Sequence, residues 1–319
     1  GTLSGRHFPR EHDTMTSTAR EGWTLVWHDE FEGDAVDRTK WDFDLGNGFY
    51  DYRNHAWVAG WGNEELQYYT DTPENVQVRD SCVHIRAVKA PLHGCGYTSA
   101  RLKTKARDGR VLFAKQYGRV AFRARVPWGK GLWPALWMLP VDDRYGPWAA
   151  SGEIDLMEIV GERPQEVLNS IHFGSAYPMR SLVTTTHALP EGSLVSDWHE
   201  YAVEWEPGEI RFYVDDVHTS THRHWWSCKL VEQDQGLEAR GPDDLHPWPA
   251  PFDQPFYLLM NVAVGGNFPG HPNEATEFPA DLVVDWVRVY DKVGDYADPK
   301  PIGEGVMPWQ PGHQNERRS

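Results

Sequence analysis

Three carboxylates lie within six residues of an otherwise apolar stretch, at Glu153, Asp155 and Glu158. The apolar neighbours indicate a strand with one face in a core rather than a solvated acidic surface. Alternate side chains of a strand share a face, so Glu153 and Asp155 point the same way, whereas Glu158 is out of phase by one residue. A one-residue bulge at Leu156-Met157 would return Glu158 to that face, and bulges recur beside active sites.

This row of carboxylates fits the hydrolysis of a glycosidic bond, in which one carboxyl group is the nucleophile and another is the acid and then the base. Retention of configuration needs the two groups about 5–5.5 Å apart, whereas residues four apart on a regular strand are separated by about 13 Å. A curved, bulged strand would close that gap. Asp155 would hold a proton or hydrogen bond between Glu153 and Glu158, keeping one ionised and one protonated. The alternative is a calcium site or three solvated carboxylates.

The run Glu153-Ile154-Asp155-Leu156-Met157-Glu158 resembles the signature of family 16 glycoside hydrolases. It is similar to the version with an extra residue before the last glutamate, which is typical of laminarinases, agarases and their relatives. The resemblance implies an all-β fold, a β-jelly-roll sandwich of two curved antiparallel sheets with a concave substrate cleft. It also implies that Glu153 is the nucleophile and Glu158 the acid/base.

The pattern of the whole chain agrees with an all-β fold. The 29 Gly and 23 Pro predict many turns, and alternation at 118–126 and 201–215 predicts strands and a hairpin. We predict a flexible leader over 1–22, a single catalytic domain over 23–291 and a tail over 292–319. Residues 216–254 interrupt the strand rhythm and are predicted to form a long loop insertion.

A pair of tryptophans, Trp133 and Trp137, shares a strand face with the small Ala135 between them. If that face is the cleft, the two indoles offer flat walls to the apolar faces of sugar rings. Both could instead belong to the core. The run resembles the family strand that precedes the catalytic one, which favours the cleft.

Further substrate contacts are implied by resemblance to laminarinase-like members of the family. Residues 60–69 resemble a stretch that lines the cleft, where Asn63 and Gln67 would offer amide donors and acceptors to hydroxyls. Arg101 matches a donor on the next substrate strand, and His172 falls where the family has a histidine near the catalytic subsites. Asn267 lies in a matching strand-loop and would reach the cleft or only cap its turn.

The insertion carries Trp225, Trp226 and Trp248 among charged residues and prolines. Exposed tryptophan is costly unless it packs or binds. We predict that the insertion forms a wall at one end of the cleft and that Trp225 and Trp226 contribute to sugar binding. The alternative is that these tryptophans brace the loop against the domain.

A structural calcium ion is a further implication of the resemblance, because many family members hold one between the first and last strands. Glu30 and Asp285 occupy the matching positions, and hard carboxylate oxygens suit Ca²⁺. They could instead take only strand-end hydrogen bonds. The hydrolytic chemistry itself requires no cofactor.

Composition limits the partners of the protein. The formal net charge of −16 speaks against nucleic acid as a partner, which needs clustered Lys and Arg. No apolar run approaches the roughly 18 residues of a membrane span. We therefore expect a monomer that acts on a β-glucan polysaccharide or oligosaccharide, in a secreted or periplasmic location argued from that substrate class.

The leading functional prediction is a retaining endo-β-1,3-glucanase of the laminarinase type. The same mechanism could act on another β-glycan, namely mixed-linkage glucan, agarose or β-galactan. A non-catalytic glucan-binding protein is the remaining alternative, and the presence of both Glu153 and Glu158 argues against it.

Overall fold

The computed structural model describes residues 17–229, 239 and 241–310, and it is built almost wholly from β-strands. Two short 3₁₀ turns occur at Gly60–Gly62 and Pro242–Asp244. In chain order the strands are β1 (Trp23–Asp29), β2 (Asp42–Asp44), β3 (Gly48–Asp51), β4 (Ala56–Ala59), β5 (Gln67–Tyr69), β6 (Val76–Arg79), β7 (Cys82–Ala87), β8 (Tyr97–Ser99), β9 (Arg101–Lys103), β10 (Gly118–Arg125), β11 (Leu132–Pro140), β12 (Glu153–Glu158), β13 (Glu166–Gly174), β14 (Arg180–Ala188), β15 (His199–Glu206), β16 (Glu209–Val214), β17 (Val217–His222), β18 (Phe256–Val264) and β19 (Ala280–Lys292).

Two large antiparallel sheets form the body of the molecule and confirm the predicted all-β jelly roll. The first sheet has the order β17-β16-β15-β10-β19-β7-β6, with β1 also paired to β19. The second has the order β14-β13-β12-β11-β18-β9-β2, which places the carboxylate strand β12 near its centre. Two small sheets, β3-β4 and β5-β8, lie beside them. Strands β11 to β14 follow one another along the chain, whereas β18, β9 and β2 come from distant segments, so the sheet that carries β12 combines local hairpins with long-range pairs.

One apolar core lies between the two large sheets, and β10 shows how the sequence creates it. Val120, Phe122 and Ala124 alternate along β10 and are buried in this core, as predicted. Arg119 and Arg123 of the same strand face the other side of the sheet, where Arg119 pairs with Glu204 at 2.6 Å and Arg123 with Asp285 at 2.6 Å. The charges are therefore neutralised on the outer face of the first sheet.

The described parts of the predicted leader and tail make specific contacts with the domain. Near the start, the Tyr290 hydroxyl donates to the Thr18 carbonyl at 2.8 Å. In the tail, Lys300 pairs with Glu209, and the carbonyl of Lys300 accepts a hydrogen bond from the Trp248 indole. The predicted tail thus runs along the surface as far as residue 310, whereas 1–16 and 311–319 lie outside the described residues.

Candidate active site

The carboxylate strand β12 contains the predicted bulge. On its β11 side, Trp137 is paired with Asp155, Leu136 with Met157 and Ala135 with Glu158, so that one residue of β12 is skipped. The register with β13 shifts at the same place, between Asp155 and Glu158. As a result, Glu153, Asp155 and Glu158 all line one cleft. The bulge is the local feature that turns an out-of-phase sequence into a common face.

Glu153 accepts a hydrogen bond on one carboxylate oxygen and has a histidine beside the other. The Trp148 indole donates to Oε1 at 3.1 Å, and His172 Nε2 lies 3.3 Å from Oε2. The same His172 nitrogen lies 3.0 Å from Asp155 Oδ2. Strand pairing explains the contact, because Glu153 is directly opposite His172 in the β12–β13 ladder. The indole hydrogen bond and the adjacent imidazole favour an oriented carboxylate, as a nucleophile requires.

Glu158 is oriented from the opposite wall of the cleft. The Trp133 indole donates to Glu158 Oε2 at 2.8 Å, and the Trp133 ring packs edge-on against Phe268 with the ring centroids 5.3 Å apart. The two glutamates therefore have separate supporting groups. Each carboxyl group can therefore be oriented independently of the other.

The cleft is an open groove of about 580 Å³ on the face of the second large sheet. Of the residues predicted to bind substrate, those lining it are Asn63, Arg101, Trp133, Trp137, His172 and Asn267. Residues that line it without having been singled out from the sequence include Glu65, Trp148, Asn261, Tyr177, Met179, Arg180 and Phe268.

Arg101 lies between two aromatic rings in the wall of the cleft. Its guanidinium carbon is 4.8 Å from the Trp137 ring centroid and 4.9 Å from that of Trp61. Asp44 forms ion pairs with Arg101, at 2.7 Å from Nε, and with Lys103 at 2.8 Å. The two cation–π contacts and the ion pair together fix the orientation of the planar guanidinium.

Gln67 does not take the predicted sugar-binding role, because its side chain is fully buried. It donates to Glu65 Oε1 at 2.8 Å and accepts from the Val264 amide at 2.8 Å. Asn63 donates to the other oxygen of Glu65 at 2.9 Å. Burial raises the pKa of Glu65, against these two hydrogen bonds, which lower it. Gln67 is therefore a support for Glu65, which itself faces the cleft.

The structure also contradicts the predicted sugar-binding role of Trp225 and Trp226, because neither is among the described residues that line the cleft. Trp225 is fully buried, donates to the Pro249 carbonyl at 2.8 Å and stacks on Trp248 with the centroids 4.7 Å apart. Trp226 is buried against Phe173. These contacts are those of a brace that fixes the insertion to the domain. Residues 230–238 and 240 of the insertion lie outside the described residues.

Replacing Trp225 with alanine is expected to lower the free energy of unfolding by about 3–5 kcal/mol, the usual range for removal of a buried tryptophan. The KM for long glucans should stay unchanged in the protein that remains folded. Thermal unfolding and steady-state kinetics measure both effects, and Trp225→Phe provides a milder variant if the alanine variant does not fold. A raised KM with an unchanged melting temperature would restore the sugar-binding role.

Glu30 and Asp285 do not fit a shared calcium site. Glu30 accepts hydrogen bonds from Arg288 and lies 2.9 Å from His28 Nδ1. Asp285 is paired with Arg123 at 2.6 Å. A guanidinium already neutralises each carboxylate, and Ca²⁺ bound there would be repelled by this adjacent positive charge. The alternative, that these residues take strand-end hydrogen bonds, describes them better.

Trp148 and Asn261 line the cleft but were not predicted from the sequence. Trp148 comes from the loop before β12 and carries no periodic signal. Asn261 lies on β18, accepts from the Trp137 indole at 2.8 Å and donates to the Tyr69 hydroxyl at 3.0 Å. It stands in the same motif as Asn267, and the alternation of β18 could have placed it on the cleft face with Ala263.

Comparison with known proteins gives consistent matches. Residues 62–227 match the sequence profile "Glycosyl hydrolases family 16". The chain is 42% identical to glucan endo-1,3-beta-glucosidase A1 of Niallia circulans over 87% of its own length, and it spans 39% of that relative. It is 41% identical to a beta-glucanase of Rhodothermus marinus, covering 84% of this chain and 85% of the relative. The solved laminarinase of Rhodothermus marinus matches with a TM-score of 0.68 at 39% identity, covering 85% of this chain and 98% of that one.

Proposed function

This chain belongs to glycosyl hydrolase family 16, and we propose that it hydrolyses internal β-1,3 linkages of glucan by a retaining double displacement. The observation that carries the proposal is the common face of Glu153, Asp155 and Glu158 in a cleft walled by two tryptophans. The names of the similar enzymes support β-1,3-glucan as the substrate.

In the first step, a Glu153 oxygen attacks the anomeric carbon of the sugar and the glycosidic C–O bond breaks. Glu158 donates its proton to the departing glycosidic oxygen, which leaves as a hydroxyl of the shortened chain. The hydrogen bond from Trp148 and the adjacent His172 ring aim the Glu153 carboxylate during this attack. The product is an ester between Glu153 and the sugar.

In the second step, water replaces the leaving chain on the same face. Glu158, now a carboxylate, takes a proton from the water while the water oxygen attacks the anomeric carbon. The ester bond to Glu153 breaks, and both glutamates return to their starting states. Two inversions give net retention of configuration. These steps use carboxyl groups alone and require no cofactor.

The walls of the cleft explain how a neutral sugar chain would be held. The rings of Trp133 and Trp137 offer apolar faces on the strand next to β12. Arg101, Asn63 and Asn267 offer polar groups at the edges of the groove. An apolar surface with a few convergent polar groups is the usual composition of such sites.

Replacing Asp155 with asparagine should reduce kcat by about tenfold to a hundredfold, less than loss of a general acid or base typically costs. Asp155 contacts His172 rather than the reacting atoms, so it acts by positioning and by charge. An unchanged kcat in Asp155→Asn would contradict this role.

A polysaccharide panel tests the proposed function directly. Reducing ends released from laminarin, mixed-linkage glucan, agarose and β-galactan would identify the linkage. The size distribution of early products distinguishes endo from exo action, and proton NMR of the first product gives its anomeric configuration. The proposal requires laminarin as the best substrate, mixed oligosaccharides as early products and a β-configured first product. Binding of laminarin without hydrolysis would instead indicate a glucan-binding protein.

We further propose that the protein acts as a monomer outside the cytoplasm, where a polysaccharide substrate is accessible. No helix within the described residues combines the length and apolar character needed to cross a membrane. Sedimentation of the purified protein and fractionation of the producing cells test these two points.

A further inference from the structure

A hairpin next to the cleft exposes an unusual concentration of aromatic side chains. It consists of β3, β4 and their turn, and we call residues 48–59 the aromatic hairpin. Tyr50, Tyr52 and Trp57 are 42%, 80% and 52% exposed, and Phe49 is 43% exposed. Contiguous exposed apolar surface of this kind marks a binding site more often than chance.

Strand pairing divides these side chains between two faces of the hairpin. Tyr50 is directly opposite Trp57, so the two share one face, and Tyr52 contacts Tyr50 edge-on at a centroid distance of 4.7 Å. Phe49 is opposite Val58 on the other face. That second face packs against the 3₁₀ turn at Gly60–Gly62, because a Cβ on Gly62 would lie within 4 Å of both Phe49 and Val58.

The aromatic hairpin is held in place by specific contacts. The Trp57 indole donates to Asn47 Oδ1 at 3.0 Å, and the Gly60 amide donates to the Asn47 carbonyl at 2.7 Å. Asp51 accepts from the Arg53 amide within the turn at 2.9 Å. A Cβ at position 48 would lie 1.9 Å from the Val58 carbonyl oxygen, so glycine is required there. The exposed face is therefore presented in a fixed orientation.

An unbroken row of flat groups connects the aromatic hairpin to the catalytic strand. Phe49 lies 6.2 Å from Trp61 between ring centroids, Trp61 stacks on Arg101, and Arg101 stacks on Trp137. Trp137 is the register partner of Asp155 on β12. A chain that leaves the cleft past Arg101 would thus reach Phe49 on the second face of the hairpin, and it would cross the edge of this two-stranded sheet to reach Tyr50 and Trp57.

We propose that the face formed by Tyr50, Tyr52 and Trp57 is a distal subsite for long β-glucan chains, which a chain reaches from the cleft by passing Phe49 and the edge of the hairpin. This inference rests on the proposed function. The exposed rings suit the apolar faces of neutral sugars, and the row of flat groups ends at the catalytic carboxylates, which favours a glycan over a protein partner. Contact at two places on one chain raises effective concentration, so the benefit requires a substrate long enough to span both.

Substitution with alanine at each of the three positions tests the proposal. Tyr52→Ala and Trp57→Ala should each raise the KM on long laminarin about threefold to tenfold, the range expected for loss of one aromatic contact. The kcat on that polymer, and both constants on a short aryl laminaribioside, should stay unchanged. Tyr52→Ala is the safest variant, because Tyr52 is the most exposed of the three. Trp57→Phe keeps an aromatic ring and loses the hydrogen bond to Asn47, so its KM on long laminarin should stay close to the wild-type value.

Trp128→Ala is the matched control, since Trp128 is 42% exposed and lies outside the hairpin and the lining of the cleft. It should leave the KM on both substrates unchanged. An unchanged KM on long laminarin in Tyr52→Ala and Trp57→Ala would overturn the distal subsite, as would an equal rise on the short substrate. A dimer that dissociates on substitution would also overturn it, in favour of an interface between copies.

Failure of the proposed function is recognised separately. A wild-type protein inactive on both laminarin and the short substrate would refute the β-1,3-glucanase itself. Binding of laminarin to a Glu153→Gln variant, with and without Tyr52→Ala, then measures the hairpin independently of turnover. Weaker binding after Tyr52→Ala supports the distal subsite, whereas equal binding overturns it.

Discussion

Replacing Glu153 with serine is expected to lower kcat on laminarin by about 10⁴-fold or more, while laminarin binding and the fold are retained. Serine cannot form the ester that the first step requires, because its hydroxyl is neither charged nor long enough to reach the same point. Glu153 lies at the start of β12, and its removal leaves the β12 ladder intact. Initial rates on laminarin measure the loss, and affinity electrophoresis measures retained binding.

Two controls separate lost chemistry from lost structure in that experiment. Glu153→Gln keeps the shape of the side chain and the contact with Trp148. Because its amide has no charged oxygen to attack the sugar, it should be as inactive as the serine variant. Melting temperatures near the wild-type value show that the fold persists. A variant that retains a tenth of wild-type turnover would refute Glu153 as the nucleophile.

Replacing Glu158 with alanine should lower kcat on laminarin by about 10²–10⁴-fold, the range that general acid–base catalysis contributes. Aryl glucosides with good leaving groups need little protonation and should therefore lose much less activity in the first step. Azide, which needs no general base, should accelerate the second step. The product should be a β-glycosyl azide, because Glu153 still forms the covalent intermediate.

The configuration of the azide product distinguishes the two glutamates. An α-glycosyl azide from Glu158→Ala would show direct attack on the substrate and would contradict the assignment of Glu153 as nucleophile. Trp133→Phe is a useful companion variant, since it removes the hydrogen bond to Glu158 Oε2 and keeps an aromatic wall. It should reduce kcat more than it raises KM, because it misorients the acid without removing the stacking surface.

The sequence by itself determined the catalytic strand, because the features involved are local. Alternation along a strand has a period of two, so the phase error at Glu158 and the bulge that corrects it can both be derived from six residues. The alternation of β10 likewise predicts its core-facing side, which the structure confirms. The family resemblance added the roles of the glutamates and the outline of the cleft.

Only the tertiary structure decided which polar and aromatic residues face the sugar. Gln67 and Asn63 stand four residues apart in one motif with equivalent amides, yet Gln67 is fully buried and Asn63 lines the cleft. Trp225 sits in a loop rich in charge and proline, yet the stacking of Trp248 and the carbonyl of Pro249 enclose it. Burial depends on which distant segment covers a side chain, and that information is absent from local spacing.

The groups that support the catalytic carboxylates come from outside the carboxylate strand. Trp148 comes from the loop before β12, His172 from the neighbouring strand β13 and Trp133 from β11, and the pairing of β12 with β11 and β13 brings the last two to its face. Types and spacing of residues thus determined what chemistry the carboxylates perform. Long-range strand pairing decided which donors hold them, because a hydrogen bond depends on the distance between atoms in the folded chain and not on their separation in sequence.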